Sequence, residues 1–333
     1  MRESLNAVFD SFCQNRDVIK KAFAWERTEL YPVCALMFAS EGRSATREAL
    51  DDCRRLIREK TGIFSNFRST ALPVLASMMA VSSDPEGRLA SALELHTALR
   101  KRFAASLYLP VAAMLLSPLV GSDNDGFAER TREVYDLMKK DHPMLTGEED
   151  VVFAGMLALD GAAPDLLTAQ AEECYGLLKQ TFRSRDAVQS LSQLLSLFEG
   201  TAEEKCAATV ELYQKLEGQG YRYGRDKELA VLGVAACLGQ PSRSVADDIA
   251  AVADRLKAAG GYGFFGLGRR ERLLHAAMIV TADISADAAA QMGISAGINA
   301  AMSAVIASQH AALCAAITVS TATAAARASA AHS

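Results

Sequence analysis

The sequence LPVLASM at residues 72–78 belongs to a repeated motif that decides the fold of this 333-residue chain. The motif occurs as YPVCALM at 31–37 and as LPVAAM at 109–114, so it starts again after 41 and then 37 residues. Related stretches without the proline follow near residues 152, 191, 231 and 274. A period near 40 residues is typical of helical hairpins that stack side by side.

Each repeat combines two helices of different character. The first is amphipathic, as in the stretch where Leu50, Cys53 and Ile57 lie on one helical face with charged residues between them. The second is rich in Ala, Ser and Met, and a polar loop such as SSDPEG at 82–87 ends the repeat. Because the second helix is apolar most of the way round, neighbouring hairpins must cover it on several sides.

The pattern predicts an all-α protein, because no run of alternating β-branched residues calls for a strand. We predict tandem hairpins of about 40 residues, stacked as a curved α-solenoid. The alternative is a closed α/α toroid, and periodicity does not decide between the two, although we favour the open array. We assign 1–285 to the hairpin repeat domain, 286–327 to an Ala-rich helical segment and 328–333 to a tail.

The composition limits the classes of partner. The formal net charge of −5 argues against non-specific binding of nucleic acid and of anionic membranes. Seven cysteines lie in apolar stretches without a C-x-x-C spacing, which indicates reduced, buried thiols. The sequence starts without the apolar stretch of a signal peptide, so we expect a cytoplasmic protein.

The composition changes after Asp287, because no Asp, Glu, Lys or Arg occurs from 288 to 326. A transmembrane helix is one interpretation, although several polar residues interrupt the stretch. The others are fold-back onto the repeats and close packing of Ala-rich helices between two copies of the chain. We favour a homodimer, and its candidate interface comprises Ile294, Ile298, Val305, Ile306, Leu313 and Ile317.

No motif of the sequence predicts catalysis, a cofactor or a metal. The stretch GYGFFG at 261–266 matches the dinucleotide-binding pattern, but a helix precedes it where that site requires a strand. Glu271 and His275 lack the facing ligands of a helical metal site. Nucleophile elbows, Walker loops and zinc-protease motifs are absent from the sequence. We therefore expect no catalytic, cofactor-binding or metal residues and no bound cofactor.

The turns inside the hairpins repeatedly combine aromatic with basic residues, as at Phe64 and Arg68. Stacked hairpins would bring these turns to one edge, suited to an anionic or extended ligand. In the alternative interpretation, the aromatic side chains join neighbouring hairpins and the arginines sit near helix ends. The candidate ligand edge comprises Tyr221, Arg222, Tyr223, Arg225, Tyr262, Phe264, Arg269 and Arg270.

These features together resemble a bacterial family that is defined only as a domain of unknown function. The resemblance rests on the chain length, on the repeated LPV-type helices, on the Gly-Tyr turns at Tyr221 and Tyr262, and on the uncharged Ala-rich end. It implies an all-helical, cytoplasmic, bacterial protein. It implies no activity and no catalytic residues.

The sequence therefore leaves the biological function unknown and favours a non-enzymatic scaffold that presents a surface to a protein or peptide partner. The alternative is an enzyme or small-molecule binder with its pocket at the centre of an α/α toroid. The single Trp of the chain and the few acidic residues of the apolar helices count against a carbohydrate-binding centre. We expect no specific nucleic-acid partner and no membrane partner.

Truncation tests the predicted homodimer. Removal of all residues after Asp287 should convert a dimer into a monomer, because it deletes the uncharged Ala-rich surface. Light scattering of the full and truncated chains measures the mass of the assembly. An unchanged number of chains in the assembly would show that this segment is not the interface.

Overall fold

The computed structural model describes residues 1–24, 30–159, 163–223, 228–263 and 266–291, with side chains as far as residue 285. The helices of this part are α1 (Glu3–Ala22), α2 (Leu30–Ser40), α3 (Arg47–Lys60), α4 (Leu72–Val81), α5 (Pro85–Arg100), α6 (Tyr108–Leu116), α7 (Asn124–Asp141), α8 (Val151–Ala158), α9 (Pro164–Leu178), α10 (Arg185–Leu195), α11 (Ala202–Gly218), α12 (Glu228–Ala236), α13 (Ser242–Ala258) and α14 (Arg269–Gln291). Short 3₁₀ turns at Asn66–Arg68 and Glu148–Asp150 precede α4 and α8. The six candidate interface residues between Ile294 and Ile317 lie outside the described residues.

Successive helices pair into seven hairpins, from hairpin 1 (α1 and α2) to hairpin 7 (α13 and α14). The second helix of each is the inner one, and α2 is buried at every residue from Leu30 to Ala39. The first helix is the outer one and buries a single stripe, which in α3 comprises Leu50, Cys53 and Ile57. The predicted all-α fold of amphipathic outer and apolar inner helices is confirmed.

Local sequence explains where the helices begin. Asp84 and Asp123 cap α5 and α7, because each carboxylate accepts a hydrogen bond of 2.9 Å from a backbone N–H in the first turn. Thr201 and Glu204 form a reciprocal capping box at the start of α11. Pro73 lies in the first turn of α4, where a missing N–H costs little.

The inner helices form a closed series. Each contacts the next from α2 through α14, and α14 also contacts α1 and α2 of the first hairpin. The seven hairpins therefore form a ring, which is the α/α toroid that the sequence offered as the alternative to an open solenoid. Periodicity could not show this closure, because closure depends on the angle between neighbouring hairpins and not on their length.

The outer helices lie head to tail around the ring. The Lys60 ammonium at the end of α3 lies 2.9 Å from the Glu86 carboxylate in the first turn of α5. Lys101 and Asp125 make the same kind of pair between α5 and α7, at 2.8 Å. Basic residues at a helix C-terminus and acidic residues at an N-terminus each suit the helix dipole, so the junctions are electrostatically complementary.

Hairpin 7 meets hairpin 1 through a junction of the same kind, which we call the seam. Arg255 near the end of α13 donates to Asn6 Oδ1 at 2.6 Å and to Asp10 Oδ1 at 3.0 Å, both on α1. Its guanidinium also lies over the Phe9 ring, 3.9 Å from the centroid. These contacts join residues about 250 positions apart in sequence.

Two further arginines hold the seam. Arg16 of α1 donates to the backbone carbonyls of Ala259 and Gly260 at 3.3 and 3.1 Å, just beyond the end of α13. Arg2 forms an ion pair of 2.7 Å with Asp283 of α14, whose side chain is only 1% exposed. The seam therefore combines charge pairs with hydrogen bonds to helix-end carbonyls.

The described cysteines are free thiols, and Cys34, Cys53, Cys174 and Cys206 are buried as expected. Cys13 and Cys237 are only half-buried, so the expectation of burial is wrong for these two. Cys237 directly follows the end of α12, where the inner layer is no longer covered on every side.

The seam makes a prediction for stability. Arg255→Ala should lower the free energy of unfolding by about 1–2 kcal/mol, because it removes two hydrogen bonds to side chains and a cation–π contact. Urea denaturation followed by circular dichroism measures the change. Arg55→Ala is the control, because Arg55 is 64% exposed and its ion pairs in the described part of the chain lie within α3. Equal stability of the two variants would show that the seam does not hold the ring.

A buried histidine should make the stability of the fold depend on pH. The Nδ1 atom of His275 lies 2.9 Å from the Tyr262 hydroxyl, and burial, together with the charge of Arg16, lowers the pKa of His275 to about 3. Below pH 6.5 the unfolded chain protonates this imidazole while the folded chain does not, so stability falls as pH falls.

Between pH 6 and 4, the free energy of unfolding should fall more steeply with decreasing pH in the wild type than in His275→Gln. The two slopes should differ by up to about 1.4 kcal/mol per pH unit. Glutamine retains a carbonyl that can accept from Tyr262 but does not titrate. Urea denaturation at several pH values gives the two slopes. Parallel slopes would contradict the assignment of a neutral His275.

Candidate functional site

The tyrosines of the candidate ligand edge are used inside the fold. Tyr223 is buried, and its hydroxyl donates to the Leu273 carbonyl at 2.6 Å. Tyr262 is buried beside His275. Tyr221 is half-buried, with its hydroxyl 3.5 Å from the Ala250 carbonyl of α13. The contacts of Tyr221 and Tyr223 agree with the alternative interpretation, in which aromatic residues join neighbouring hairpins, whereas Tyr262 contacts a residue of its own hairpin.

The basic residues of the same edge stay at the surface. Arg222, Arg269 and Arg270 are exposed. Arg269 donates to the Gly220 carbonyl, which links the turns of hairpins 6 and 7. Arg225 and Phe264 lie outside the described residues, so the ligand edge as a whole stays a prediction.

The described residues of the GYGFFG stretch, Gly261–Gly263 and Gly266, lie between α13 and α14. The helix α13 ends at Ala258, and Gly260, Gly261 and Gly263 have φ angles of +77°, +83° and +132°, which favour glycine. A Cβ atom at Gly266 would lie 2.4 Å from the carbonyl oxygen of Gly261. These glycines are therefore explained by the geometry of the turn.

Large apolar side chains are exposed on three consecutive turns. Ile63 and Phe64, on the turn of hairpin 2, are 73% and 94% exposed, and Met144, on the turn of hairpin 4, is 94% exposed. Leu107 lies between them on the turn of hairpin 3 and is 36% exposed. Because all hairpins run in the same direction, these turns lie at the same end of the ring. We call residues 61–71, 101–107 and 142–150 the turn face.

Contacts between neighbouring hairpins hold the turn face together. Asn66 Nδ2 donates to the Ser106 carbonyl at 2.8 Å, which joins the turns of hairpins 2 and 3. The rings of Phe103 and Tyr135 meet edge to face at 5.4 Å, and the Tyr135 hydroxyl donates to the Gly147 carbonyl at 3.1 Å. The turns of hairpins 3 and 4 are thereby linked through α7.

The exposure of Phe64 is imposed by its own turn. Phe67, three residues later, is buried and packs edge to face on His96 with ring centroids 5.1 Å apart. Arg68 donates to the carbonyls of Arg58 and Thr61, which closes the C-terminal end of α3. The anchored turn therefore presents Ile63 and Phe64 to solvent instead of folding them inward.

A small cleft lies between α7, α9 and α10. His142 Nε2 is 2.6 Å from Glu172 Oε1, and the Tyr175 ring packs against the imidazole with centroids 4.4 Å apart. Gln189 and Gln193 of α10 line the same cleft. Its free volume of about 10 Å³ suffices for roughly one water molecule. The cleft lies between the inner and outer layers and not at the centre of the ring.

Two further observations concern the described part of the chain. Its His, Cys, Asp and Glu side chains include no group of three that could hold a metal ion. Among its helices, none combines the length and the apolar character that crossing a membrane would require.

Sequence reasoning named Phe64 as a turn aromatic but missed Ile63, Leu107 and Met144. A signal for two of them exists, because Ile63 follows Gly62 and Met144 follows Pro143, which places both apolar residues in turns. Helical periodicity does not report the direction of a side chain outside a helix.

Comparison with family models matches residues 15–311 to a family described as a protein of unknown function, DUF4003. Comparisons with curated proteins and with solved structures give no match. The matched region covers most of the chain, from the second half of α1 through α14. The chain therefore belongs to the DUF4003 family of proteins of unknown function.

Proposed function

We propose that this protein is a non-enzymatic scaffold that binds a protein partner through the turn face. The observation that carries the proposal is the nearly complete exposure of Phe64 and Met144 on turns that neighbouring hairpins hold in place. Several large apolar side chains exposed on one side of a protein are typical of an interaction surface. Burial of each against a partner would contribute about 1.5–3 kcal/mol.

The spacing of the turns favours an extended peptide segment as the bound element. Neighbouring helices pack about 10 Å apart, so Phe64 and Met144, two hairpins apart, are separated by roughly 20 Å. An extended segment of about six residues spans that distance. Arg58 and Lys140, both exposed at the ends of outer helices, favour acidic residues beside the apolar ones in this segment.

The enzymatic alternative has weaker support. A His–Glu pair such as His142 and Glu172 can act in acid–base catalysis. The adjoining cleft, however, has room for about one water molecule, which is too little for an organic substrate. The binding role therefore accounts for more of the described surface.

Two further parts of the proposal concern location and assembly. We place the protein in the cytoplasm, because the six cysteines among the described residues are free thiols, which is typical of a reducing compartment. The homodimer through residues 288–326 is supported by their uncharged composition alone.

A peptide library tests the turn face. Peptides selected on the full-length protein should contain apolar residues spaced for the turns. They should bind the variant Ile63→Ala/Phe64→Ala/Met144→Ala at least about tenfold more weakly, since loss of one buried large apolar side chain already exceeds 1.4 kcal/mol. Fluorescence anisotropy of a labelled peptide measures the affinity.

Leu166→Ala is the matched control, because Leu166 is 59% exposed but lies on α9, outside the three segments of the turn face. Peptide affinity should be unchanged in this variant. A library that yields no peptide, or peptides that bind the triple variant as tightly as the wild type, would overturn the proposal.

A further inference from the structure

Two cysteines from neighbouring outer helices meet between hairpins 5 and 6. Cys174 of α9 and Cys206 of α11 are both buried, with exposures of 0% and 4%. Cys206 Sγ lies 3.8 Å from the carbonyl oxygen of Cys174, to which it can donate a hydrogen bond, so the two residues are in direct contact. The residues are 32 positions apart, so only the stacking of the two hairpins brings them together.

A buried lysine lies beside the thiol pair. Lys205 is 5% exposed, and its ammonium donates to the Phe198 carbonyl at 2.9 Å. Within the described part of the chain, no carboxylate lies at ion-pair distance from this ammonium. A buried cation is costly without a counter-ion, and a thiolate at the pair would provide one.

The surroundings shift the thiol pKa in different directions among the described cysteines. Hydrogen bonding from Cys206, and next the charge of Lys205, lower the pKa of the Cys174 thiol below its usual value. Burial instead raises the pKa of Cys34 and Cys237 to about 12 and that of Cys53 to about 11. The thiolate is the form that reacts with oxidants, so Cys174 is the most reactive position of this set.

A surface cavity adjoins the pair. Its volume is about 240 Å³, and its lining includes Gln170 and Glu173 of α9 together with Lys205 of α11. These residues lie on the same helices as Cys174 and Cys206, within one turn of them. The cavity therefore brings solvent to within about one helical turn of the two thiols.

We propose that Cys174 and Cys206 form a reversible disulfide that responds to hydrogen peroxide. The Cys174 thiolate attacks one peroxide oxygen, so that an S–O bond forms, the O–O bond breaks and the departing hydroxide takes up a proton to become water. Cys206 sulfur then attacks the resulting sulfenic acid; the S–S bond forms, the S–O bond breaks, and a second water leaves with the Cys206 proton. The thiols lose two electrons to the peroxide, and a dithiol reductant reverses the reaction.

Peroxide treatment of the reduced, full-length protein tests the proposal. Peptide mass spectrometry under non-reducing conditions should show a Cys174–Cys206 cross-linked peptide that is lost on addition of dithiothreitol. Cys206→Ser should instead accumulate a sulfenic acid at Cys174, detected with a dimedone reagent. Cys53→Ser, which removes a buried thiol from another outer helix, should leave the cross-link intact.

Lys205→Met tests the role of the buried cation without removing a thiol. Cross-linking at pH 7 should be about tenfold slower than in the wild type, and the midpoint of its pH–rate profile should move to higher pH. Lys215→Met, which changes an exposed lysine of the same helix, should leave both unchanged. Peroxide that leaves the pair reduced, or that links other cysteines equally fast, would overturn the proposal.

Discussion

The structure depends on the covering of every inner helix by hairpins on both of its sides. Helix α2 is buried at every residue from Leu30 to Ala39, which its own partner α1 cannot achieve alone. Helices α4 and α14 supply the remaining cover. An open array would leave one flank of the first and last inner helices in water and would require special capping units. Closure of the ring removes both exposed flanks, and Arg2, Arg16 and Arg255 then join the two ends of the repeat domain.

Much of this fold could be predicted from the sequence, because the recurring LPV-type stretches specify buried helices at a period near 40 residues. Closure of the ring could not be predicted from the sequence, because it depends on how closely neighbouring inner helices approach each other. A Cβ atom at Gly155 would lie 2.4 Å from Leu116 Cδ1, and one at Gly233 would lie 2.2 Å from Leu191 Cδ1. These are close approaches between neighbouring hairpins, and a repeat length does not report them.

The surface was less predictable than the core. Tyr223 and Tyr262 fit the pattern of a ligand edge, yet both are buried and their hydroxyls contact α14. Ile63 and Met144 looked unremarkable and are instead among the most exposed apolar residues. The direction of a side chain in a turn depends on the local backbone geometry. Helical periodicity does not predict that direction. The thiol pair had no sequence signature either, since Cys174 and Cys206 meet only after hairpins 5 and 6 stack.

The ring accounts for the positions of the turn face, the seam and the thiol pair, so the distance between its two ends is the decisive quantity. Spin labels at positions 17 and 257, attached through unnatural amino acids so that native thiols do not react, report that distance in solution. Both sites are exposed, on α1 and α13. A closed ring predicts a main distance of about 20 Å, because Arg16 contacts the residues just after α13. A main distance above about 40 Å, as seven hairpins spaced about 10 Å apart in an open array would give, would contradict the account.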